Sequence, residues 1–409
     1  MATVRGTSTV LLRRLAVRTD GADTIVGRVD SGEFIAVPPV GARALALLAE
    51  GVTVQDAERT IAENTGEQVD LAEFVEDLLA LGFIAELDGH PQPGQPAMRV
   101  SLPWLRPRHV GWLLSRTFLA AFASITVAGL VVAFLSRAPL PSYHALLWSG
   151  HGSVVLVTHA AIGWVLLYLH ELAHLAAARA AGVPGRIRLG TRLQFLVAET
   201  DVSGVWASPR WHRMIVYAAG IALDALVCAT ALAVSAVAEP GVIRTAASVI
   251  ATLTAAALAG ELLIFMRTDA YFLLQEMTRC RNLYADGTAY ARYLGKRLVQ
   301  RLRRQASPAT PDPSLGLPLR ERRVVRGYTA IVVAGTITCL GAAVTITMPF
   351  TVHLLGRAVH GLGTGDVADA LDGAAVLSVT GLVQVLWCKA WWRNHGNQLR
   401  RVMGRSFSA

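Results

Sequence analysis

Several long stretches of this sequence contain no Asp, Glu, Lys or Arg. They include residues 117–136, 245–260, 327–356 and 373–388. A helix needs about 20 apolar residues to cross the hydrocarbon core of a bilayer, and a soluble domain rarely has several such stretches. The composition agrees, because 53% of the 409 residues are hydrophobic and only 16% are charged. The sequence therefore predicts an α-helical polytopic membrane protein.

The apolar stretches and the residues around them predict six transmembrane helices. We place these helices near residues 113–136, 153–180, 210–237, 243–267, 328–349 and 371–391. A β-hairpin at the membrane interface is expected between the second and third helices, where "RIRL" alternates with period two and glycines follow. Irregular backbone of this kind is tolerated at membrane depth where protein covers it or where it lines a wet cavity.

Arginines are concentrated in alternate connections between the predicted helices. The three arginine-rich segments are residues 179–213, 271–326 and 393–405. The other three connections hold one arginine each and lie near residues 137–152, 239–244 and 350–368. Basic loops remain on the cytoplasmic side, so both termini are predicted to be cytoplasmic. Abundant arginine and alanine with scarce lysine is typical of a GC-rich bacterium, which indicates a bacterial cell membrane.

Residues 1–90 differ from the rest because acidic side chains are interspersed with apolar ones. Their pattern predicts a β meander, then helices near 41–49, 54–64 and 71–81, and a closing strand "FIAEL". This order is typical of a small α+β winged-helix-like domain. Residues 91–110 form a Pro-rich linker to the membrane domain at 111–409. Four scattered cysteines without C-x-x-C spacing indicate neither a disulfide framework nor a cysteine zinc site.

His170, Glu171 and His174 form an H-E-x-x-H motif inside the second predicted transmembrane helix. Residues four apart lie on one helix face, about 6 Å apart along the axis, so both imidazoles can bind one zinc ion while the glutamate acts on the attacking water. Histidines in membrane helices can also serve only as packing hydrogen-bond partners. Ionisable groups this deep in an apolar helix are functional by default, which favours a site for one Zn²⁺ per chain.

A catalytic zinc site usually has three protein ligands. Asp269 is the best candidate for the third, because helices two and four run in the same direction and it lies near the end of helix four. Read alone, this aspartate marks a helix end. Glu261 is a weaker candidate. Asp224, four residues after Gly220, is either a helix-packing hydrogen-bond partner or a polar group aimed at the substrate carbonyl.

Together these residues resemble the site-2 protease family of intramembrane zinc metalloproteases. The similarity covers roughly residues 150–290 and implies that His170, His174 and Asp269 bind zinc and that Glu171 is the general base. It also implies a substrate or oxyanion role for Gly220 and Asp224. The chain departs from the family pattern in having Asp269-Ala270 in place of Asp-Gly, Gly220-Ile221 in place of Gly-Pro, and Asp224 where asparagine is frequent. The stretch "RTDAYFLLQEMTRCRNLYADG" is most similar to the branch associated with peptide natural products.

Residues 1–90 are similar to PqqD-like domains, which recognise the leader peptides of ribosomally made, modified peptides. The similarity lies in "EFIAV", "GARALALLAEG", "TVQDAERTIAE" and "LAEFVEDLLALGFI". It implies that a leader peptide adds as a strand to the sheet. The positions that would contact it are Phe34, Ile35, Val37, Phe74 and Leu78.

The function expected from these similarities is a zinc endopeptidase that processes a leader-bearing precursor peptide, with the bilayer as its other partner. Two alternatives remain. The first is a catalytically inactive metal-binding scaffold or export partner, which Asp224 and Ala270 favour. The second is a regulated intramembrane protease that cuts a membrane-anchored regulator. Nucleic acid is not an expected partner, because the N-terminal domain is acidic and lacks a basic recognition helix.

Overall fold

A computed structural model of the chain describes residues 4–20, 23–66, 68–94, 96–192, 195–280, 283–302 and 311–406. The chain divides into two compact units. The first contains Met1–Ser115, His174–Arg188 and Thr200–Val216, and the second contains Arg116–Ala173, Leu189–Glu199 and Tyr217–Ala409. The first unit is thus larger than the domain predicted over residues 1–90.

The described strands form three small sheets. They are β1 (Val10–Leu12), β2 (Ala16–Asp20), β3 (Asp23–Arg28), β4 (Glu33–Val37), β5 (Ile84–Leu87), β6 (His90–Pro91), β7 (Arg186–Arg192) and β8 (Phe195–Asp201). The sheet orders are β1-β5-β6, β2-β3-β4 and β7-β8. The first two sheets belong to the N-terminal domain, and the third is the hairpin expected between the second and third apolar helices.

Helices make up most of the described chain. They are α1 (Pro39–Ala49), α2 (Val54–Thr65), α3 (Leu71–Ala80), α4 (Pro107–Val110), α5 (Arg116–Leu135), α6 (Tyr143–Leu146), α7 (Gly152–Ala180), α8 (Arg210–Val237), α9 (Val242–Glu261), α10 (Asp269–Thr278), α11 (Leu283–Leu302), α12 (Leu319–Ala342), α13 (Met348–Gly363) and α14 (Val367–Ser406). Short 3₁₀ segments lie at Gly111–Leu114, Ser203–Ala207, Ile264–Met266 and Pro313–Gly316.

The N-terminal domain packs α1, α2 and α3 against the antiparallel meander β2-β3-β4. The three helices agree with the predicted ranges to within two residues. Local signals explain two of their starts: the Thr53 hydroxyl accepts a hydrogen bond from the Asp56 amide, and the Asp70 carboxylate accepts one from the Glu73 amide. Such N-caps satisfy amides that have no partner within the helix. The core between helices and sheet includes the fully buried Leu48, Ile61, Val75, Leu78 and Phe83.

The outer face of the meander contacts a segment from the middle of the chain within the same unit. Strands β2, β3 and β4 all touch the 3₁₀ turn Ser203–Ala207, and the Arg18 guanidinium donates to the Ser208 carbonyl at 2.8 Å. The linker contributes too, because the Ser101 amide donates to the Gly185 carbonyl at 3.0 Å. The first unit therefore joins the N-terminal sheet to the residues that lead into α8.

Within the described residues, six helical segments are long and apolar enough to cross a membrane. They are Arg116–Leu135, Gly152–Ala180, Arg210–Val237, Val242–Glu261, Leu319–Gly363 and Val367–Val385. The predicted number of such helices is confirmed. The fifth segment is much longer than the predicted 328–349, because a π-helical turn, Ala343–Thr347, joins α12 directly to α13. Pro349 comes just after this π-helical turn, inside the continuous helix, and has no amide to donate to the preceding turn.

The fourth helix ends earlier than predicted. The sequence indicated helix to residue 267, whereas α9 ends at Glu261 and a 3₁₀ turn, Ile264–Met266, follows. Arg267 then adopts a left-handed conformation with φ of 55°, and α10 begins at Asp269. The apolar run "LLIFM" concealed this break because its hydrophobicity continues through the turn. Asp269 is consequently the first residue of a new helix, which corrects its expected place at the end of the fourth.

Arg28 and Asp30 form a partly buried pair at the turn between β3 and β4. The Arg28 guanidinium donates to both carboxylate oxygens of Asp30, at 2.6 and 3.1 Å, and also to the Gly82 carbonyl. Arg28 is 7% exposed, so these acceptors offset the cost of removing its charge from water. The hydrogen bonds from Arg28 hold the pKa of Asp30 below its usual value.

We expect Asp30→Asn to destabilise the N-terminal domain by about 1.5 kcal/mol at pH 7, near the lower end for a hydrogen bond to a charged group because Asp30 is half exposed. A carboxyl whose pKa is lowered by folding stabilises the folded state above its unfolded pKa of about 3.9, and this contribution is lost as pH falls through the folded-state value. The difference between wild type and variant should therefore shrink as the pH falls below about 3.9, the unfolded-state pKa. Amide hydrogen exchange of β3 in the full-length protein measures this difference in stability.

Asp56→Asn is the matched control, because the Asp56–Arg59 pair is largely exposed and exposed pairs contribute about 0.2–1 kcal/mol. If the two substitutions destabilise the domain equally at pH 7, the Arg28–Asp30 pair does not contribute more than an exposed pair.

Candidate metal centre

Three side chains with metal-binding atoms converge in the structure. One ligand atom from each of His170, His174 and Asp269 lies within 4.8 Å of the other two. Both histidines are buried, at 8% and 5% exposure, and the closest pair is His170 Nε2 and Asp269 Oδ2 at 3.0 Å. The three residues predicted as zinc ligands are therefore brought together, although Asp269 is 99 residues from His170 along the chain.

Each histidine ring is held by α8 through its Nδ1 atom. His174 Nδ1 lies 2.7 Å from the Val216 carbonyl oxygen, and His170 Nδ1 lies 2.8 Å from Asp224 Oδ2. Val216, Gly220 and Asp224 are spaced by four residues and so lie on one face of α8. Gly220, between the other two along this face, is buried.

These contacts define which nitrogen of each ring is available to a metal. The Val216 carbonyl is only an acceptor, so Nδ1 of His174 carries the proton and Nε2 keeps its lone pair. The Asp224 carboxylate favours the same tautomer for His170. Metal-binding histidines usually donate their second nitrogen to a carbonyl or carboxylate in this way. The 3.0 Å between His170 Nε2 and Asp269 Oδ2 is close to the edge of about 3.3 Å of a tetrahedron with bonds of about 2.0 Å. The residues fit a metal ion.

Asp269 is held by the turn that joins α9 to α10. The Thr268 hydroxyl donates to the Glu261 carbonyl at 2.7 Å, and the Ala270 amide donates to the Glu261 carboxylate at 3.3 Å. The sequence predicts Glu261 as a weaker ligand candidate. In the structure it accepts hydrogen bonds from the two residues on either side of Asp269. Ala270 lies in the first turn of α10 with ordinary helical backbone, so this position does not require the glycine that the family pattern has.

Glu171 is buried beside the ligands, at 7% exposure. It follows His170 directly on α7, so its position relative to the histidines is set by the helix. A buried carboxylate adjacent along the helix to a candidate ligand histidine can accept and return a proton, which is the role of a general base. The arrangement supplies the residue types that metal-assisted hydrolysis needs.

Helix α12 packs against the end of α9 and was not anticipated in the sequence as part of the site. A Cβ atom on Gly335 would lie 2.2 Å from the Leu262 carbonyl oxygen, and the Cys339 thiol donates to the Ala259 carbonyl at 3.0 Å. These contacts lie directly before the turn that presents Asp269. The only sequence signal was a glycine in an apolar helix, which is too common to be informative.

The residues predicted to bind a leader peptide lie in the N-terminal domain. Val37 and Leu78 are 3% and 0% exposed, so their side chains are covered by the domain itself. Ile35 and Phe74 pack against the same core, and Phe34 lies half-buried on the opposite face of the sheet, over Gly27. A cleft of about 350 Å³ opens elsewhere in the domain, between β1, β2 and α1.

Comparisons of the chain with protein families, with curated proteins and with solved structures return no match.

We expect Gly335→Ala to displace the end of α9 and thereby move Asp269. Forcing a methyl group into a packed helix contact costs about 1–3 kcal/mol, and a loss of about 1.4 kcal/mol at the site corresponds to tenfold weaker metal binding. Zinc affinity and the thermal unfolding midpoint of the detergent-solubilised protein measure both effects. Gly341→Ala on the same helix is the control, because an added Cβ there meets nothing within 4 Å. If the two variants bind zinc with the same affinity, the packing of α12 on α9 does not determine the position of Asp269.

Proposed function

We propose that this chain is a zinc-dependent intramembrane endopeptidase that processes a ribosomally made precursor peptide. The observation that carries the proposal is the convergence of His170, His174 and Asp269 beside the buried Glu171, on helices long and apolar enough for a membrane. Zinc-dependent peptide hydrolysis requires at least a group of metal ligands and a nearby carboxylate that can act as general base.

Two imidazoles and one carboxylate are a ligand set typical of catalytic zinc. When bound, Zn²⁺ acts as a Lewis acid that activates water and polarises a peptide carbonyl. The charge of the ion would be balanced by Asp269 and by Asp224, which contacts His170. Offsetting the charge of the ion in this way limits the desolvation penalty of placing charge among apolar helices.

Glu171 moves the proton in the proposed reaction. It accepts a proton from the water that attacks the carbonyl carbon, and it returns that proton to the amide nitrogen as the carbon–nitrogen bond breaks. The products are a carboxylate and an ammonium group, which together hold both protons of the water, so the reaction needs no other co-reactant. General acid–base catalysis of this kind contributes about 10²–10⁴ in rate.

We assign substrate capture to the N-terminal domain, in keeping with its similarity to leader-recognition domains. The cleft between β1, β2 and α1 is apolar and has two exposed hydrophobic residues among its walls, Leu11 and Val17. Strand β2 is at the edge of its sheet, so an extended peptide can pair with it. We therefore place an apolar segment of the precursor in this cleft. Capture there would raise the local concentration of substrate at the membrane domain.

The membrane setting follows from the six apolar helices and from the arginine distribution. Alternate connections are rich in arginine, which supports cytoplasmic termini in a bacterial cell membrane. Both captured substrate and the basic loops would then be on the cytoplasmic side. The inactive scaffold is separated from the proposal by the first experiment below.

Glu171→Gln should abolish cleavage while leaving zinc bound, because the amide cannot accept the proton and is not a ligand. We expect a loss of at least about 10² in rate. The assay is mass spectrometry of peptides encoded beside this chain's gene after incubation with the purified protein, together with zinc analysis. Glu276→Gln removes another buried carboxylate and controls for folding. Cleavage that survives Glu171→Gln, or wild-type protein that takes up no zinc, would refute the proposed activity; a zinc-bound protein without cleavage would favour the scaffold.

Val17→Glu should weaken precursor binding to the full-length protein by at least about tenfold, because it places a charge at the wall of the apolar cleft. Val17 is 66% exposed, so folding should be unaffected. Phe34→Ala tests the position inferred from the family similarity, on the other face of the sheet. Calorimetry or fluorescence anisotropy with the same peptides measures both. If Phe34→Ala weakens binding and Val17→Glu does not, the peptide occupies β4 and the cleft assignment is wrong.

A further inference from the structure

We infer that Asp224 is a positioning residue of the metal centre, which fixes the ring of His170 so that Nε2 faces the ion. The inference rests on the proposed function, since it concerns how the proposed zinc ligands are held. It assigns Asp224 a role different from the substrate or oxyanion role that family similarity implies.

His170 lies between two carboxylates, one at each ring nitrogen. Asp224 Oδ2 is 2.8 Å from Nδ1, and Asp269 Oδ2 is 3.0 Å from Nε2. The side chains of His170 and Asp224 are 10% and 8% exposed, so water does not compete strongly for this contact. With a metal ion bound at Nε2, the ring proton of His170 would be on Nδ1 and would be donated to Asp224.

The two histidines differ in how they are held. His174 contacts the backbone carbonyl of Val216, which no substitution removes, whereas His170 contacts the carboxylate of a side chain. Hydrogen bonds to a charged acceptor are about twice as strong as neutral ones, and a carboxylate partner raises the basicity of a ligand imidazole. Asp224 therefore makes His170 the stronger donor to the metal.

A direct role of Asp224 in stabilising an oxyanion is unfavourable on electrostatic grounds. Oxyanion sites use hydrogen-bond donors, and an ionised carboxylate is only an acceptor. Its Oδ2 atom is already engaged by His170. A negative charge at this place instead favours the metal cation and the protonated Nδ1.

The test compares zinc affinity of the full-length protein with Asp224→Ala and Asp224→Asn, by competition with a chromogenic chelator. Loss of the partner of a ligand histidine typically weakens metal binding 10–100-fold, and we expect this for Asp224→Ala. Asp224→Asn keeps an acceptor for Nδ1–H, so most of the affinity should return, with about a three- to tenfold deficit from the lost charge. Thr230→Val on the same helix is the control, because the Thr230 hydroxyl bonds only within α8.

The absorption spectrum of the Co²⁺-substituted protein supplies a readout that a merely structural role would not change. We expect the ligand-field bands to shift in Asp224→Ala and to return towards the wild-type positions in Asp224→Asn. Wild-type zinc affinity in Asp224→Ala, with an unchanged cobalt spectrum, would overturn the inference and leave the proposed function standing. Wild-type protein that binds neither ion would overturn both. Asp224→Asn, which preserves side-chain volume, keeps the test decisive if the alanine variant does not fold.

Discussion

A polar group buried among apolar helices must find a partner, because a buried donor or acceptor without one costs about 1–3 kcal/mol. In this protein His170 and His174 meet that requirement through a single face of α8, where the Val216 carbonyl and the Asp224 carboxylate each accept from an Nδ1 atom. Gly220 lies between these acceptors. The partners on α8 leave both Nε2 atoms facing away from it, and this determines where a metal can bind.

The position of the third candidate ligand, Asp269, is fixed by a turn and not by α8. Asp269 is presented by a turn in which Glu261 accepts from both Thr268 and Ala270, and α12 packs on the carbonyls just before that turn. The fifth apolar helix thus acquires a structural role in the site without contributing a ligand. A ligand at the start of a helix is held by the first-turn hydrogen bonds, which makes its position less variable than that of a residue in a loop.

Ala270 and Asp224, the two departures from the family pattern that favour an inactive scaffold, are both compatible with a metal site in the structure. Ala270 adopts ordinary helical backbone, so a glycine is unnecessary there. Asp224 contacts His170 and so supports metal binding through a ligand. Neither substitution removes a group that proposed hydrolysis needs. In the proposed reaction, catalysis depends on Glu171, which is buried on α7 directly after His170.

The residues along the chain determined the membrane-length helices, the N-terminal helix starts at Thr53 and Asp70, and the association of His170 with His174. All of these follow from local properties: apolar length, capping side chains and the helical period. The partnership of His170 with Asp224, the break before Asp269, the bracing by α12 and the burial of Val37 and Leu78 were decided by tertiary structure. They depend on which helix faces lie together, and contacts between residues 50 to 100 positions apart leave no periodic trace in a single sequence.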